Sequence, residues 1–369
     1  MKIKKLFSSI LFLTALLVAA PFGSLAQTFS EKRVESKSFR LKPGTMVQVY
    51  NKYGNVNIMP WDKDSVRFVV SIAAQSKQET KIRKILSSID CEMISTAGFI
   101  SARTVFHDNS TTFWKDVVSY AGKVINSGNN LQIDYTVYMP VNHPLKVENK
   151  FGNIYMGNHK ANVDISLSNG DLQARDFLGN LKLDLEFGSA SLQDIEKAQL
   201  DINYSDLSLQ NVKLLTLTSR SSTFDFDKAS SLELNSTRDK INIRTCETLS
   251  GDASFSRIKI NSLETNCTIT AKYGEFKLNG ISRNFRTIYI KTEFTDVLLG
   301  MNPQSAYSAD LLYDAKTTLN IPGQINGQLK KETLNPKYGT MKATGEIGKA
   351  GSSQLTVSLK SGSLTLLNK

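Results

Sequence analysis

The chain has little of what active sites are commonly built from. Three histidines and three cysteines are all that 369 residues contain. His107, His143 and His159 lack metal-ligand spacing and lie near turns or prolines, so the expectation is surface placement and no zinc-type site. Cys91, Cys246 and Cys267 are odd in number, and Cys246 and Cys267 lie seven and eleven residues after the repeat positions Asp239 and Ser256, off adjacent rungs, which leaves a Cys246–Cys267 disulfide as the lesser alternative. All three read as buried or free thiols. Glycine-rich phosphate loops, HExxH and GxSxG are absent. After residue 20 no apolar run is long enough to span a bilayer. No catalytic residue, cofactor or metal ligand is therefore expected.

What the chain does have is a period. Segments around Gly152, Gly170, Gly188, Ser205, Ser222, Asp239, Ser256, Gly274 and Thr295 share one pattern, at steps of 18, 18, 17, 17, 17, 17, 18 and 21 residues. A fixed period of this kind marks a solenoid, in which each repeat buries its apolar edge by stacking on its neighbours.

Strand side chains alternate between two faces, so parity from the marker residue sorts the columns. Five positions before it stand Val147, Ile165, Leu183, Leu200, Leu217, Leu234, Gly251, Ile269 and Ile290, expected inside. Two and four positions after it run apolar columns from Ile154 to Val297 and from Met156 to Leu299, also inside. The residue just before the marker is often aromatic, as in Phe151, Phe187, Tyr204, Phe255, Tyr273 and Phe294. Its parity predicts a core ladder rather than a ligand-stacking platform. Glycine at the marker suits a positive φ, while Ser and Asp cap a turn.

The fold class expected is all-β: a right-handed parallel β-solenoid, or β-helix, of about 17–18-residue coils. The pattern returns at Val47–Ile58 and at Val357–Leu366, so both outer copies are expected in the same stack. A small α/β insertion interrupts it near the N-terminus. Gln78–Ile89 carries apolar residues at helical spacing, two strand-like runs follow at Cys91–Ile94 and Phe99–Phe106, and Thr112–Ile125 has the pattern of a second amphipathic helix. A strand at Leu131–Met139 leads into the array. One helix is expected to cover an open end of the solenoid, where strand edges lie unpaired.

The N-terminus reads as an export address: Lys2, Lys4 and Lys5, then the apolar stretch Ile10–Ala20, then a small-residue cleavage site at Ser24–Ala26. The division expected is a signal peptide at 1–26, first solenoid strands at 27–76, an α/β insertion or cap at 77–140 and the repeat array at 141–369. Removing three lysines with the signal lowers the net charge from +11 to +8. That charge has no long basic run and gives no indication of nucleic-acid binding. The mature chain is expected to be soluble, in the periplasm or at the cell surface, with no transmembrane segment after cleavage. The end at Leu366–Lys369 lacks the terminal aromatic of an outer-membrane barrel and any sorting tail.

The repeated units at Asn51–Ile58 (NKYGNVNI), Asn149–Met156 (NKFGNIYM), Ser168–Leu172 (SNGDL) and Ala271–Phe276 (AKYGEF) resemble the β-strand repeats of candidate-adhesin families of bacterial envelope proteins, including the head-GIN type. The resemblance implies an exported β-solenoid with an adhesive role and brings no catalytic residues with it.

One outward column is polar from end to end: Glu148, Ser166, Asp184, Asp201, Thr218, Asn235, Asp252 and Thr270, four residues before the marker. Glu148, Asp184, Asp201 and Asp252 are its carboxylates and the expected partner-binding strip, although such a line also serves solubility. The leading functional expectation is a non-enzymatic envelope protein that presents a long sheet to a glycan, a cell-wall component, a protein or its own copies. The alternative is a β-helical carbohydrate-active enzyme, a polysaccharide lyase or hydrolase, in which carboxylates meet across coils.

Overall fold

The computed structural model describes residues 28–107, 130–337, 339–349 and 351–368. The signal segment and the second amphipathic helix expected at Thr112–Ile125 lie outside the described residues. Strands dominate because apolar and polar residues alternate with a period of two for most of the chain. In Asp206–Arg220, for example, buried and exposed positions alternate, with breaks at Gln210–Asn211 and Lys213–Leu214.

Two long parallel ladders organise the molecule. One joins Met46–Lys52, Leu145–Lys150 and Val163–Ser168 to Phe177–Glu186. It continues through the second halves of Ser189–Asn203, Asp206–Arg220, Thr223–Thr237, Lys240–Ser254 and Arg257–Lys272 to Thr287–Met301. The other joins Val56–Pro60, Ile154–Met156 and Asp171–Ala174 to the first halves of the same long strands. A short third ladder links Phe177, Ile195, Val212, Ala229, Cys246 and Leu263. Inward residues of all three ladders meet in one apolar core.

The predicted columns stack as expected. Val147, Ile165, Leu183, Leu200, Leu217, Leu234, Gly251, Ile269 and Ile290 pair each with the next. All but Gly251 are buried. Both outer copies join the same stack. Val49 pairs with Val147 and Val56 with Ile154, while Ile290 pairs with Val357 and Val297 with Leu364.

The aromatic column is where the structure departs from the parity argument. Phe151, Phe187, Tyr204, Phe255, Tyr273 and Phe294 are exposed by 46–54 % and do not form a core ladder. Each has a left-handed backbone, with φ between 50° and 59°. One left-handed residue turns the chain through a corner and resets the alternation, so a position counted as inward points out. The marker residue that follows is buried at Ser205, Ser222, Asp239, Ser256 and Thr295 and half-buried at Gly152, Gly170, Gly188 and Gly274.

Glycine at the marker answers a close approach and not the positive φ expected for it. A Cβ on Gly170 would lie 2.1 Å from the carbonyl oxygen of Gly152, and one on Gly188 would lie 1.9 Å from that of Gly170. At Ser205, Ser222, Asp239 and Ser256 the marker side chain accepts an N–H from the previous coil. Ser205 Oγ takes Gly188 N–H at 3.1 Å, Ser222 Oγ takes Ser205 N–H at 3.2 Å, and Asp239 Oδ1 takes Ser222 N–H at 2.8 Å. Buried Asp239 also accepts from Ser219 and Ser236 hydroxyls at 2.7 and 2.6 Å, which satisfies a carboxylate that burial would otherwise disfavour.

Antiparallel strands close both ends. At the N-terminal end Phe99–Phe106 and Asn130–Met139 extend the two ladders in parallel. Ile89–Ser95, Ser65–Ser76 and Phe29–Arg40 then add to them antiparallel. The helix Glu79–Ser87 buries Ile82, Ile85 and Leu86 and packs on Ser65–Ser76 and Phe29–Arg40. At the other end, chain order and stacking order part: Ser353–Asn368 lies between Thr287–Met301 and the pair Tyr307–Tyr313 and Thr317–Asn320. Beyond these, Thr340–Ile347 and Lys330–Asn335 add antiparallel strands.

Candidate partner-binding faces

The polar column stands where its sequence phase put it. Glu148, Ser166, Asp184, Asp201, Thr218, Asn235, Asp252 and Thr270 are successive partners in the first ladder. The four carboxylates lie on one line, half-buried at Glu148 and Asp184 and exposed at Asp201 and Asp252. Only Asp184 and Asp201 are direct neighbours. Lys146 Nζ lies 3.0 Å from Glu148 and Lys182 Nζ 3.7 Å from Asp184, and Asn203 donates to Asp201 at 2.7 Å. These contacts order the carboxylates at the surface, where each ion pair adds little stability.

Beside it runs the aromatic column, which parity reasoning missed. Its rings stack face to face along the axis: Tyr53 on Phe151 at 5.4 Å, Phe187 on Tyr204 at 5.2 Å, Phe255 on Tyr273 at 5.0 Å and Tyr273 on Phe294 at 5.1 Å. Asn169, Ser221 and Arg238 occupy the remaining rungs with the same left-handed backbone, and the Arg238 guanidinium lies 5.7 Å from the Phe255 ring. Those three polar members were the available signal. A column that mixes Phe and Tyr with Asn, Ser and Arg faces solvent.

The side chains with the strongest chemistry are elsewhere and mostly enclosed. Contrary to the expected surface placement, His143 and His159 are buried. His159 Nε2 donates to the His143 carbonyl at 2.8 Å, and burial holds the His159 pKa below its usual value. His107 is exposed beside Asp90 at 2.8 Å. The three cysteines are free thiols. Burial raises Cys91 to about 11 and Cys246 to about 12, and drives Cys267 up as well, so none is a thiolate nucleophile at neutral pH. At the C-terminal end a recess of about 640 Å³ is lined by Asp310, Gln328, Lys330, Glu346 and Thr356. Lys342 Nζ lies 3.3 Å from Asp310 there. No helix among the described residues is long and apolar enough to cross a membrane.

No protein-family model and no curated protein matches the chain. Among solved structures it is similar to a candidate cell adhesion protein from Clostridium sporogenes, at 9 % identity and a TM-score of 0.19 over 92 % of this chain and 100 % of that one. A candidate adhesin from Bacteroides fragilis is 8 % identical with a TM-score of 0.25, covering 91 % and 98 %. A candidate lipid-binding protein from Parabacteroides distasonis is 11 % identical with a TM-score of 0.27, covering 73 % and 92 %. Likeness at these levels leaves the functional reading to the chain's own geometry.

Proposed function

We propose that the chain is an exported, non-enzymatic envelope protein whose body is a right-handed parallel β-solenoid of about 17–18-residue coils that presents an elongated face to a glycan or protein partner. In this reading residues 1–26 are the export signal, 27–76 the first strands, 77–140 the cap and 141–369 the array. The observation that carries the reading is the pairing of two outward columns in register: a polar line containing Glu148, Asp184, Asp201 and Asp252, and a line of exposed stacked aromatics. Solvent-exposed aromatic rows are costly to a protein that meets only water, and rings beside polar groups are the composition of recognition surfaces. Flat repeating sheets suit extended partners, because one contact recurs at every rung.

Binding to isolated envelope material tests the proposal. Purified protein is expected to co-sediment with it, and Asp184→Lys combined with Asp201→Lys should abolish that binding with the melting temperature unchanged. Equal co-sedimentation of the double variant removes the polar strip from the reading. A polysaccharide panel incubated with the protein should show no depolymerisation.

A further inference from the structure

The aromatic column has a gap one rung wide. Lys150, Ser168 and Glu186 are successive partners in the first ladder, so the residues that follow them, Phe151, Asn169 and Phe187, occupy successive corners. The corner hydrogen bonds agree: Phe151 N–H donates to Ser168 O at 3.0 Å and Asn169 N–H to Glu186 O at 2.9 Å. Phe151 is stacked on Tyr53 on its far side and Phe187 on Tyr204 on its far side. The other face of each ring is turned toward Asn169, where no ring stands among the described residues. Two strand spacings separate these rings, about 9.5 Å. That is room for one flat ring at the same spacing that the column keeps elsewhere, 5.0–5.4 Å.

We propose that this slot, walled by Phe151 and Phe187 and floored by Asn169, binds one hexopyranose ring of a glycan. The inference rests on the reading of the chain as a partner-binding protein and names the ligand class for part of its face. A pyranose has C–H groups on both faces, which pack on the electron-rich faces of aromatic rings, and hydroxyls around its rim. The slot has the matching division. Its two walls are apolar, and polar residues stand on both flanks: Ser168 and Glu186 on one side of the corner and Asp171 on the other, where Asp171 Oδ1 accepts from Ser189 Oγ at 2.7 Å. Asn169 is exposed and brings one donor group and one acceptor to the floor. An aromatic side chain of a protein partner would use the walls and leave that polar rim without a role. A few placed polar groups around apolar walls is the usual composition of a small-ligand site.

The decisive variant is Asn169→Phe, which completes the stack and fills the slot with the fold kept. The probes are soluble cello-, malto-, chito- and manno-oligosaccharides, read by saturation-transfer NMR and titration calorimetry on the full mature chain. At least one should bind the wild type. Asn169→Phe should weaken that binding ten-fold or more while its melting temperature holds or rises, and Phe187→Ala should weaken it as well. Oligosaccharide binding untouched by Asn169→Phe places the sugar elsewhere and overturns the slot. Self-association lost in Asn169→Phe, with no sugar bound by the wild type, assigns the slot to a second copy and likewise overturns it. No oligosaccharide binding together with retained envelope binding overturns the slot alone; loss of both overturns the proposed function too.

Discussion

Leu200 stands between Leu183 and Leu217 in the inward column and is buried at 1 % exposure. Replacing it with Ala removes buried methyl groups and leaves a cavity, so a loss of about 2–5 kcal/mol is expected in denaturant unfolding. Asp at the same place buries an unpaired charge and should cost more; a wild-type midpoint for Leu200→Asp contradicts the register. His159 gives a second residue-scale prediction. Burial chiefly lowers its pKa below the ordinary 6.5, helped by neighbouring His143 and opposed by the hydrogen bond to the His143 carbonyl. The unfolded chain therefore takes up a proton on this ring at higher pH than the fold does. Its contribution is whole above about 6.5 and is lost as pH falls toward the lowered folded value. The melting temperature should drop from pH 7.5 to pH 5.5, and His159→Gln should reduce that drop; an identical pH dependence in the variant rules His159 out. The inward leucines were legible because period two is a property of neighbouring residues. The aromatics were not, because a single left-handed residue at each corner changes the phase, and that backbone state is unusual for Phe and Tyr.

At the scale of elements, the ends matter most, because a stack of parallel strands leaves two rows of unpaired N–H and C=O groups. The N-terminal end is continued by antiparallel strands, on which the helix Glu79–Ser87 packs with Ile82, Ile85 and Leu86, the apolar spacing readable in the sequence. At the C-terminal end Lys330–Asn335 pairs on one side with Thr340–Ile347, and all six of its residues are exposed. Lys330, Lys331 and Glu332 make this edge a poor template for a further strand. Changing them to Thr, Val and Thr should yield dimers or larger species by light scattering after size exclusion. A variant that stays monomeric at high concentration assigns edge protection to another element. The stacking position of Ser353–Asn368, inside Tyr307–Tyr313, was not legible in the sequence. Each coil offers the same apolar columns, so the pattern specifies that a coil joins the stack and leaves open which neighbour it meets. His159 was misread for a related reason. It bridges to Phe177 in the short third ladder, where two or three residues per coil are too few to show a period.

For the molecule as a whole, the proposed binding function follows from one repeated register. The ladders bury leucine, isoleucine and valine inward and set the polar and aromatic columns one residue per rung on the outside. Partner binding then depends on the straightness of those columns over many rungs, not on a single cluster of reactive groups. Inter-nitroxide distances test this most directly. With the three native cysteines replaced by Ala, spin labels are placed in pairs at Asp184 with Asp252, with Thr270 and with Lys291, which stand four, five and six rungs away. At one strand spacing per rung the account predicts distances near 19, 24 and 29 Å, rising by about 4.8 Å at each step. Distances that fail to rise along that series, or that scatter without a common increment, contradict the stacked columns and the binding face built on them.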